Sequence, residues 1–467
     1  MTLLSFAAGG PLLRVTAPPV TIWDDLLPDQ AKRLPDELAR IDAYLDDERF
    51  IAPWRGVFAA RLGRPSVPVE TLLRLLYLKH RYQLGYETLC REVGDSISWR
   101  RFARIPLDQP VPHPTTLVKL VGRAGPETLD QLNQALLAKL VGDKLLRARK
   151  LRVDTTVIEA DIDHPTDADL LEHAVRKLGG LTRRIKQRGA ATRTPYRDRS
   201  RAAGRRLRQI SRTLRRRTGQ APVEVDRLTA QVAAIARRTV AQGERVTRNA
   251  RRALRHRPGD GRLRRLVARL EETATLTHRL LAQTHQRLRG NRTIGDRVLS
   301  LADPDARPIR KGKPGKRTEF GYTVLLAECE RGFIAAHRTH KGNPGDAAQL
   351  VPAVVQIIAL TGHPPGTVTG DRGFGTAAND QALAGLGVNR IGLARTGTPG
   401  KARRAYEQTR AFRRMRNWRV GIEARISQLK RSFGLRRTRL RRLDGAQVWV
   451  GLGVFAYNLQ RMTVVGG

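Results

Sequence analysis

Arg149-Lys150-Leu151-Arg152-Val153-Asp154-Thr155-Thr156-Val157-Ile158-Glu159 is the stretch whose reading decides the fold. It is rich in β-branched residues and reads as a strand, whereas the residues before and after it carry helical spacing. Asp154 stands in the middle of that strand. A buried carboxylate without a partner is costly, so an aspartate there needs a reason, and a metal ion is a good one. Glu159 points opposite to Asp154 if the strand alternates regularly. Asp161 and Asp163 fall at the strand's end, where water can solvate them.

Toward the C-terminus the pattern stays mixed. Residues 319–326 and 333–337 look like a strand pair, 366–370 like a strand running into a Gly-flanked turn, and 389–394 like another strand. Asp371 sits in that turn, within Gly370-Asp371-Arg372-Gly373-Phe374-Gly375. Helices are expected over 347–360 and 376–386, with a long basic one around 419–433. Asp346 and Asp380 read as helix-cap or surface residues, His340 as a loop histidine satisfied by its surroundings, and Trp418 and Trp449 as packing residues. Strands alternating with helices imply an α/β sheet with helices packed on it. On the last helix Arg419 and Lys430 lie about 40° and about 20° from Glu423, so the three share one face. A carboxylate between two cations is either a surface ion pair or a metal ligand flanked by phosphate clamps.

Toward the N-terminus, residues 20–150 read as short helices joined by tight turns. Leu72, Leu73, Leu75, Leu76 and Leu78 form an apolar face, and Pro112-His113-Pro114 opens a further helix. Such a region suits a helix-turn-helix DNA reader or a helical bundle for packing or dimerisation. Residues 165–290 are helical again, with breaks expected at Gly179-Gly180, Thr194-Pro195 and Arg257–Gly261. Val225, Leu228, Val232 and Ile235 form one stripe, and Leu263, Leu266, Leu270, Leu276 and Leu280 another. Two antiparallel helices with arginines on their outer faces fit that pattern. A solvated insertion without a specific role fits it too.

Charge narrows the partner. The chain has 467 residues, 87 Lys+Arg and 43 Asp+Glu, a formal charge of +44. Residues 171–290 hold 33 basic and 8 acidic residues, and 401–442 hold 16 and 2, so two segments carry 39 of the 44 charges. The basic residues are 73 Arg and 14 Lys. Arginine forks phosphate oxygens bidentately, although codon usage in a GC-rich genome also favours it. Nucleic acid fits this excess better than membrane lipid, because no strongly apolar face opposes the basic ones. Tyr196 is the one aromatic residue in 171–290, so this segment tracks phosphates rather than stacking bases, and Arg215, Arg216 and Arg217 form a candidate contact cluster. Cys90 and Cys329 alone make neither a disulfide scaffold nor a Cys-based zinc protein. The opening MTLLSFAAGGPLLR lacks a basic n-region, which argues against a signal peptide. The apolar run 448–457 is too short to cross a bilayer. A cytoplasmic, nucleoid-associated protein without a membrane partner is expected.

Three stretches together resemble a known family. They are Arg152–Ala160 followed by Pro165-Thr166-Asp167, then Gly370–Phe374, then Arg419-x3-Glu423-x6-Lys430. These resemble, in order, the first-aspartate strand, the second-aspartate turn and the Tyr-Arg-Glu-Lys signature of bacterial insertion-sequence transposases of the Asp-Asp-Glu class. Arg416 stands where that signature has its Tyr. The resemblance implies a ribonuclease H-like mixed sheet with flanking helices, preceded by an N-terminal all-helical domain over 1–147. The catalytic domain would then span 148–467, interrupted by the basic helical insertion 165–290. It further implies two Mg²⁺ ions, with Mn²⁺ as a substitute, held roughly 3.5–4 Å apart. Asp154 would bridge them, Asp371 would bind one and Glu423 the other, since hard cations prefer carboxylate oxygens. Arg419 and Lys430 would position DNA phosphates. Water would free 3′-hydroxyls at the element's terminal inverted repeats, and these would attack target DNA, with a homodimer bringing the two ends together. Two other readings stay open: a basic DNA- or RNA-binding protein whose acids are structural, such as an inactive transposase remnant, and a ribonuclease H-like nuclease without strand transfer.

Overall fold

The computed structural model describes residues 12–16, 21–59, 63–163, 165–216, 219–291, 293–310 and 318–466. Arg217 and most of the opening stretch tested for a signal peptide lie outside the described residues. The chain forms two compact units, one of residues 1–161 and 322–467 and one of residues 162–321. Residue 147 falls inside the first unit and the basic segment 165–290 inside the second.

In the first unit, helices Asp36–Tyr44, Val69–Arg81, Tyr86–Asp95, Ile97–Phe102 and Pro114–Gly142 precede the sheet. The five leucines between 72 and 78 are all buried. Arg74 on the same helix is fully buried as well, and it is neutralised by Asp42 and Asp46 at 2.6 and 3.1 Å. The Pro114–Gly142 helix is capped by His113 and kinks at Gly125, whose φ of +70° interrupts the helix just before Pro126.

Seven strands follow: β1 (Lys150–Ala160), β2 (Arg307–Ile309), β3 (Glu319–Cys329), β4 (Ile334–Lys341), β5 (Thr367–Gly370), β6 (Arg390–Leu393) and β7 (Arg437–Thr438). The order is β2-β3-β1-β5-β6, with β4 also on β3 and β7 also on β1. β3 and β4 run antiparallel, while β1, β5 and β6 run parallel, so the sheet is mixed. β2 belongs to the second unit and pairs there with Glu319–Gly321. Spacing alone indicates neither β2 nor β7, because two or three residues are too few to display a period of two. β5 lines Lys150–Val153 of β1, and β7 lines Glu159–Ala160. Between these two patches, at Asp154, β1 meets the Arg410–Ser432 helix.

The last helix, Arg442–Val465, closes this core. Its residues 448–459 are buried throughout, with Asn458 bonded to both backbone atoms of Ile334 and Tyr457 to the Gly332 carbonyl. The apolar run 448–457 is therefore core. Among the described residues no helix is long and apolar enough to cross a membrane.

Among the described residues the second unit contains four helices, Asp167–Gln187, Ser200–Arg216, Ala221–Arg255 and Gly261–Leu288. Leu171, Val175, Val232, Ala236 and Leu280 form one buried cluster, and Leu178, Ile185, Val240, Leu263 and Leu270 another. The two expected stripes supply Val232, Leu263, Leu270, Leu276 and Leu280 to these clusters, beside alanines and valines that they did not include. The break expected at Gly179-Gly180 does not occur: Asp167–Gln187 runs straight through both glycines. The buried neighbours Leu178 and Leu181 offset a glycine cost of about 1 kcal/mol per residue. Asp167, the last residue of the first family-like stretch, is buried here and held by Arg287, Arg297 and Gln283 at 2.9–3.1 Å. It serves this packing.

Candidate active site

Strand register relates the first two acids. Val153 of β1 pairs with Gly370 of β5, and Asp154 and Asp371 are the residues that follow each of them. Asp371 leaves the strand into a tight turn and accepts a bond from the Gly373 backbone N–H at 2.8 Å. Fully buried Phe374 anchors that turn. Asp154 accepts from the Thr155 N–H at 2.7 Å, and its side chain is 16% exposed.

Glu423 reaches the same region from the Arg410–Ser432 helix. Ile422 and Leu429 on another face of that helix are buried, while Glu423 is exposed. Arg419 links it to the strand: one guanidinium nitrogen lies 3.8 Å from Asp154 Oδ2 and the other 3.4 Å from Glu423 Oε1. Lys430 lies further along the helix and is half-buried. Arg416, in the place of the signature's Tyr, is exposed.

A buried ion triad seats this helix on the sheet. Glu328 of β3 is wholly buried and takes both Arg152 of β1, at 2.7 and 2.8 Å, and Arg425, at 3.0 Å. Arg152 also donates to the Trp418 carbonyl at 2.7 Å and lies 4.9 Å from the centre of its ring. Gly421 completes the seat, because a Cβ there would overlap the Arg152 guanidinium. Sequence reasoning missed Glu328, Arg152 and Gly421, since an acid within an apolar strand and a glycine within a helix carry no signal of their partners.

Asp346 stands at the cap position that the sequence indicates, with a different side-chain partner. This residue does precede the Ala347–Thr361 helix, yet its side chain makes no capping bond there. Instead Oδ1 accepts from the Thr155 hydroxyl at 3.0 Å. The other expectations resolve individually. Asp380 is clamped by Arg395 and Arg403, both at 2.7 Å. Glu159 and Asp161 share Arg437 at 3.4 and 3.5 Å. His340 lies within β4 rather than in a loop, and its Nε2 is buried without a hydrogen-bond partner; burial holds its pKa below the ordinary value. Trp449 packs and donates to the Gly434 carbonyl at 2.8 Å.

The donors fit a hard divalent cation in kind. All are carboxylate oxygens, two of them brought into register by paired strands, and a positive group already lies between Asp154 and Glu423. Among the described residues, however, no three His, Cys, Asp or Glu side chains stand close enough together to hold a metal.

In the second unit, Arg215 and Arg216 are exposed at the end of their helix. A separate cleft there is more concentrated. Arg184 and Arg188 line one side and Arg262, Arg265 and Arg269 the other, with no acid in its lining. The spacings of four, three and four place each set on a single helical face.

The chain matches two families, "Transposase domain (DUF772)" over residues 24–123 and "Transposase DDE domain" over residues 273–459. The second match contains Asp371 and Glu423, while Asp154 falls between the two. The chain is also similar to a Rhizobium meliloti protein described as "Uncharacterized protein ORF8 in nfe locus", at 27% identity over 179 residues, covering 34% of this chain and 83% of that protein. No solved structure matches it. The chain belongs to the insertion-sequence transposases of the Asp-Asp-Glu class.

Proposed function

We propose that this transposase cleaves DNA at the ends of its element and joins the freed ends to target DNA, using Asp154, Asp371 and Glu423 on a ribonuclease H-like sheet. The observation that supports the reading is the register of β1 and β5, which pairs Val153 with Gly370 one residue before Asp154 and Asp371, with Arg419 of the Glu423 helix 3.8 Å from Asp154. The order β4-β3-β1-β5-β6, with an antiparallel pair on one side of β1 and parallel strands on the other, supports the fold assignment.

The three carboxylates would hold Mg²⁺ or Mn²⁺. Bound there, the cation makes hydroxide available near neutral pH and stabilises a departing 3′-oxygen. The chain's own residues do the positioning. Glu328 and its two arginines fix the helix, and Arg419 and Lys430 offer cationic groups for the phosphates flanking the scissile bond. In the first step a water oxygen bonds to phosphorus and the bond to the 3′-oxygen breaks, leaving a 5′-phosphate and a 3′-hydroxyl. In the second, that 3′-hydroxyl bonds to a target phosphorus, and the target's own 3′-oxygen leaves and takes up a proton. The arginine cleft of the second unit would carry DNA backbone, and two subunits would hold the two terminal repeats.

Glu423→Gln keeps size and hydrogen bonding but removes a ligating charge. It should lower Mg²⁺-dependent strand cleavage by roughly 10³-fold or more while DNA binding persists. Unchanged cleavage would take Glu423 out of the mechanism. A pre-cleaved end with a free 3′-hydroxyl should yield joined products; hydrolysis without joining would leave a nuclease.

A further inference from the structure

We propose that a polar cavity at the open edge of β4 binds a nucleotide, holding the base by its hydrogen-bonding edge in the depth of the cavity and the phosphate at its mouth. The site stands apart from Asp154, Asp371 and Glu423, none of which lines it. The cavity has a volume of about 590 Å³, within the range of small-molecule sites. Its walls come from β4 and from the Pro114–Gly142, Ala347–Thr361 and Arg442–Val465 helices. Among the described strands β4 is bonded to β3 alone. Consecutive residues of a strand point to opposite faces of its sheet. Thr339 and His340 both line the cavity, so it wraps around the unpaired edge of β4.

Three polar atoms of this lining are buried without a hydrogen-bond partner: Asn133 Oδ1, Thr339 Oγ1 and His340 Nε2. Asn133 and Thr339 are only 4% and 7% exposed. The Asn133 amide is fixed in orientation, because its Nδ2 donates to the Leu129 carbonyl at 2.9 Å and to the Gly451 carbonyl at 3.1 Å. Its oxygen is left as an acceptor that calls for an N–H. Unpaired buried polar groups are unfavourable, and three around one cavity call for a ligand carrying both donors and acceptors. A water molecule occupies roughly 30 Å³, so the space suits something much larger. A nucleobase with an amino group presents N–H donors beside ring-nitrogen acceptors, and amide side chains pair with such edges. Gln356 and Gln447 add two further amides to the lining, and Asp130 adds an acceptor. At the mouth Arg338 is exposed, and its guanidinium makes only a marginal 3.5 Å contact with the Pro352 carbonyl. Among the described residues it has no acid within ion-pair distance, which leaves its fork open to a phosphate. No Phe, Tyr or Trp lines the cavity, so edge contacts rather than stacking would hold the base.

The test is equilibrium binding of the four deoxynucleoside monophosphates to the full-length protein in about 0.3 M salt, where contacts made by phosphate alone are weakened, with inorganic phosphate as control. The adenine, cytosine and guanine nucleotides should bind more tightly than the thymine nucleotide, whose base has no amino group, and more tightly than phosphate. Thr339→Val deletes an unpaired hydroxyl and keeps the shape of the side chain. It should leave the melting temperature at or above the parent's and weaken nucleotide binding by about three- to tenfold. Arg338→Gln, a change at the surface, should weaken it by a similar factor. The nucleotide may be free or part of a DNA strand, and a duplex with one unpaired nucleotide separates the two. If the free monophosphates do not bind, but the parent prefers that duplex over a fully paired one and Thr339→Val abolishes the preference, the ligand is a nucleotide of the strand. No preference in either arm, or a preference that survives both Thr339→Val and Arg338→Gln, would overturn the proposal and assign the binding to arginines elsewhere on the surface.

Discussion

Two sets of arginines in this protein use the same side chain in opposite ways. On and beneath the Arg410–Ser432 helix, guanidinium groups end on acids of the chain itself: Arg152 and Arg425 on Glu328, Arg419 on Asp154 and Glu423. In the four-helix unit, Arg184, Arg262, Arg265 and Arg269 face an open cleft whose lining holds no acid. Arg188 on the same cleft touches Asp260. Net charge does not distinguish the two regions; the partner does. An arginine answered from within seats a helix on the sheet, whereas an unanswered row offers its charge to an external anion.

The difference can be broken most sharply at Glu328. Glu328→Ala should strand two cations in the core and destabilise the first unit by about 3–5 kcal/mol, read from denaturant unfolding. A loss below about 1 kcal/mol would mean that the triad adds nothing to the seat of the helix. At the other pole, replacing Arg262, Arg265 and Arg269 together by Gln should change stability by no more than about 0.5 kcal/mol. The same change should flatten the dependence of log K on log salt by roughly three units, one per lost phosphate contact. An unaltered salt slope would empty the cleft of DNA. A smaller effect is expected from Arg215 and Arg216, which stand exposed at a helix end: their joint replacement should flatten the slope by at most about two units. Equal slopes from the pair and the cleft triple would show that location within the unit matters less than charge.

What was legible in the sequence followed from periodicity and order. The β-branched run around Asp154 became β1, the glycine turn at 370–375 follows β5, and the basic stretch at 419–433 is the end of a longer helix. The helical stripes ending at Ile235 and Leu280 do pack in the second unit. The losses share one cause. Asp346 sits where a cap belongs, and nothing local says that its carboxylate bonds across to Thr155. Glu328 lies in an apolar strand and meets Arg152 and Arg425 only after the sheet has formed. Gly179 and Gly180 follow the rule for a break, but tertiary burial overrides it. Local pattern specifies elements, while long-range partners specify which polar groups become part of the site.

Gly421 sets a tolerance. With only hydrogen on that α-carbon, the backbone of the helix comes close enough to β1 for Arg152 to bond the Trp418 carbonyl directly. Two residues on, Glu423 pairs with Arg419, whose other guanidinium nitrogen lies 3.8 Å from Asp154 of that strand. The width of one atom, at a position that bears no chemistry, thus governs how closely this helix lies against β1.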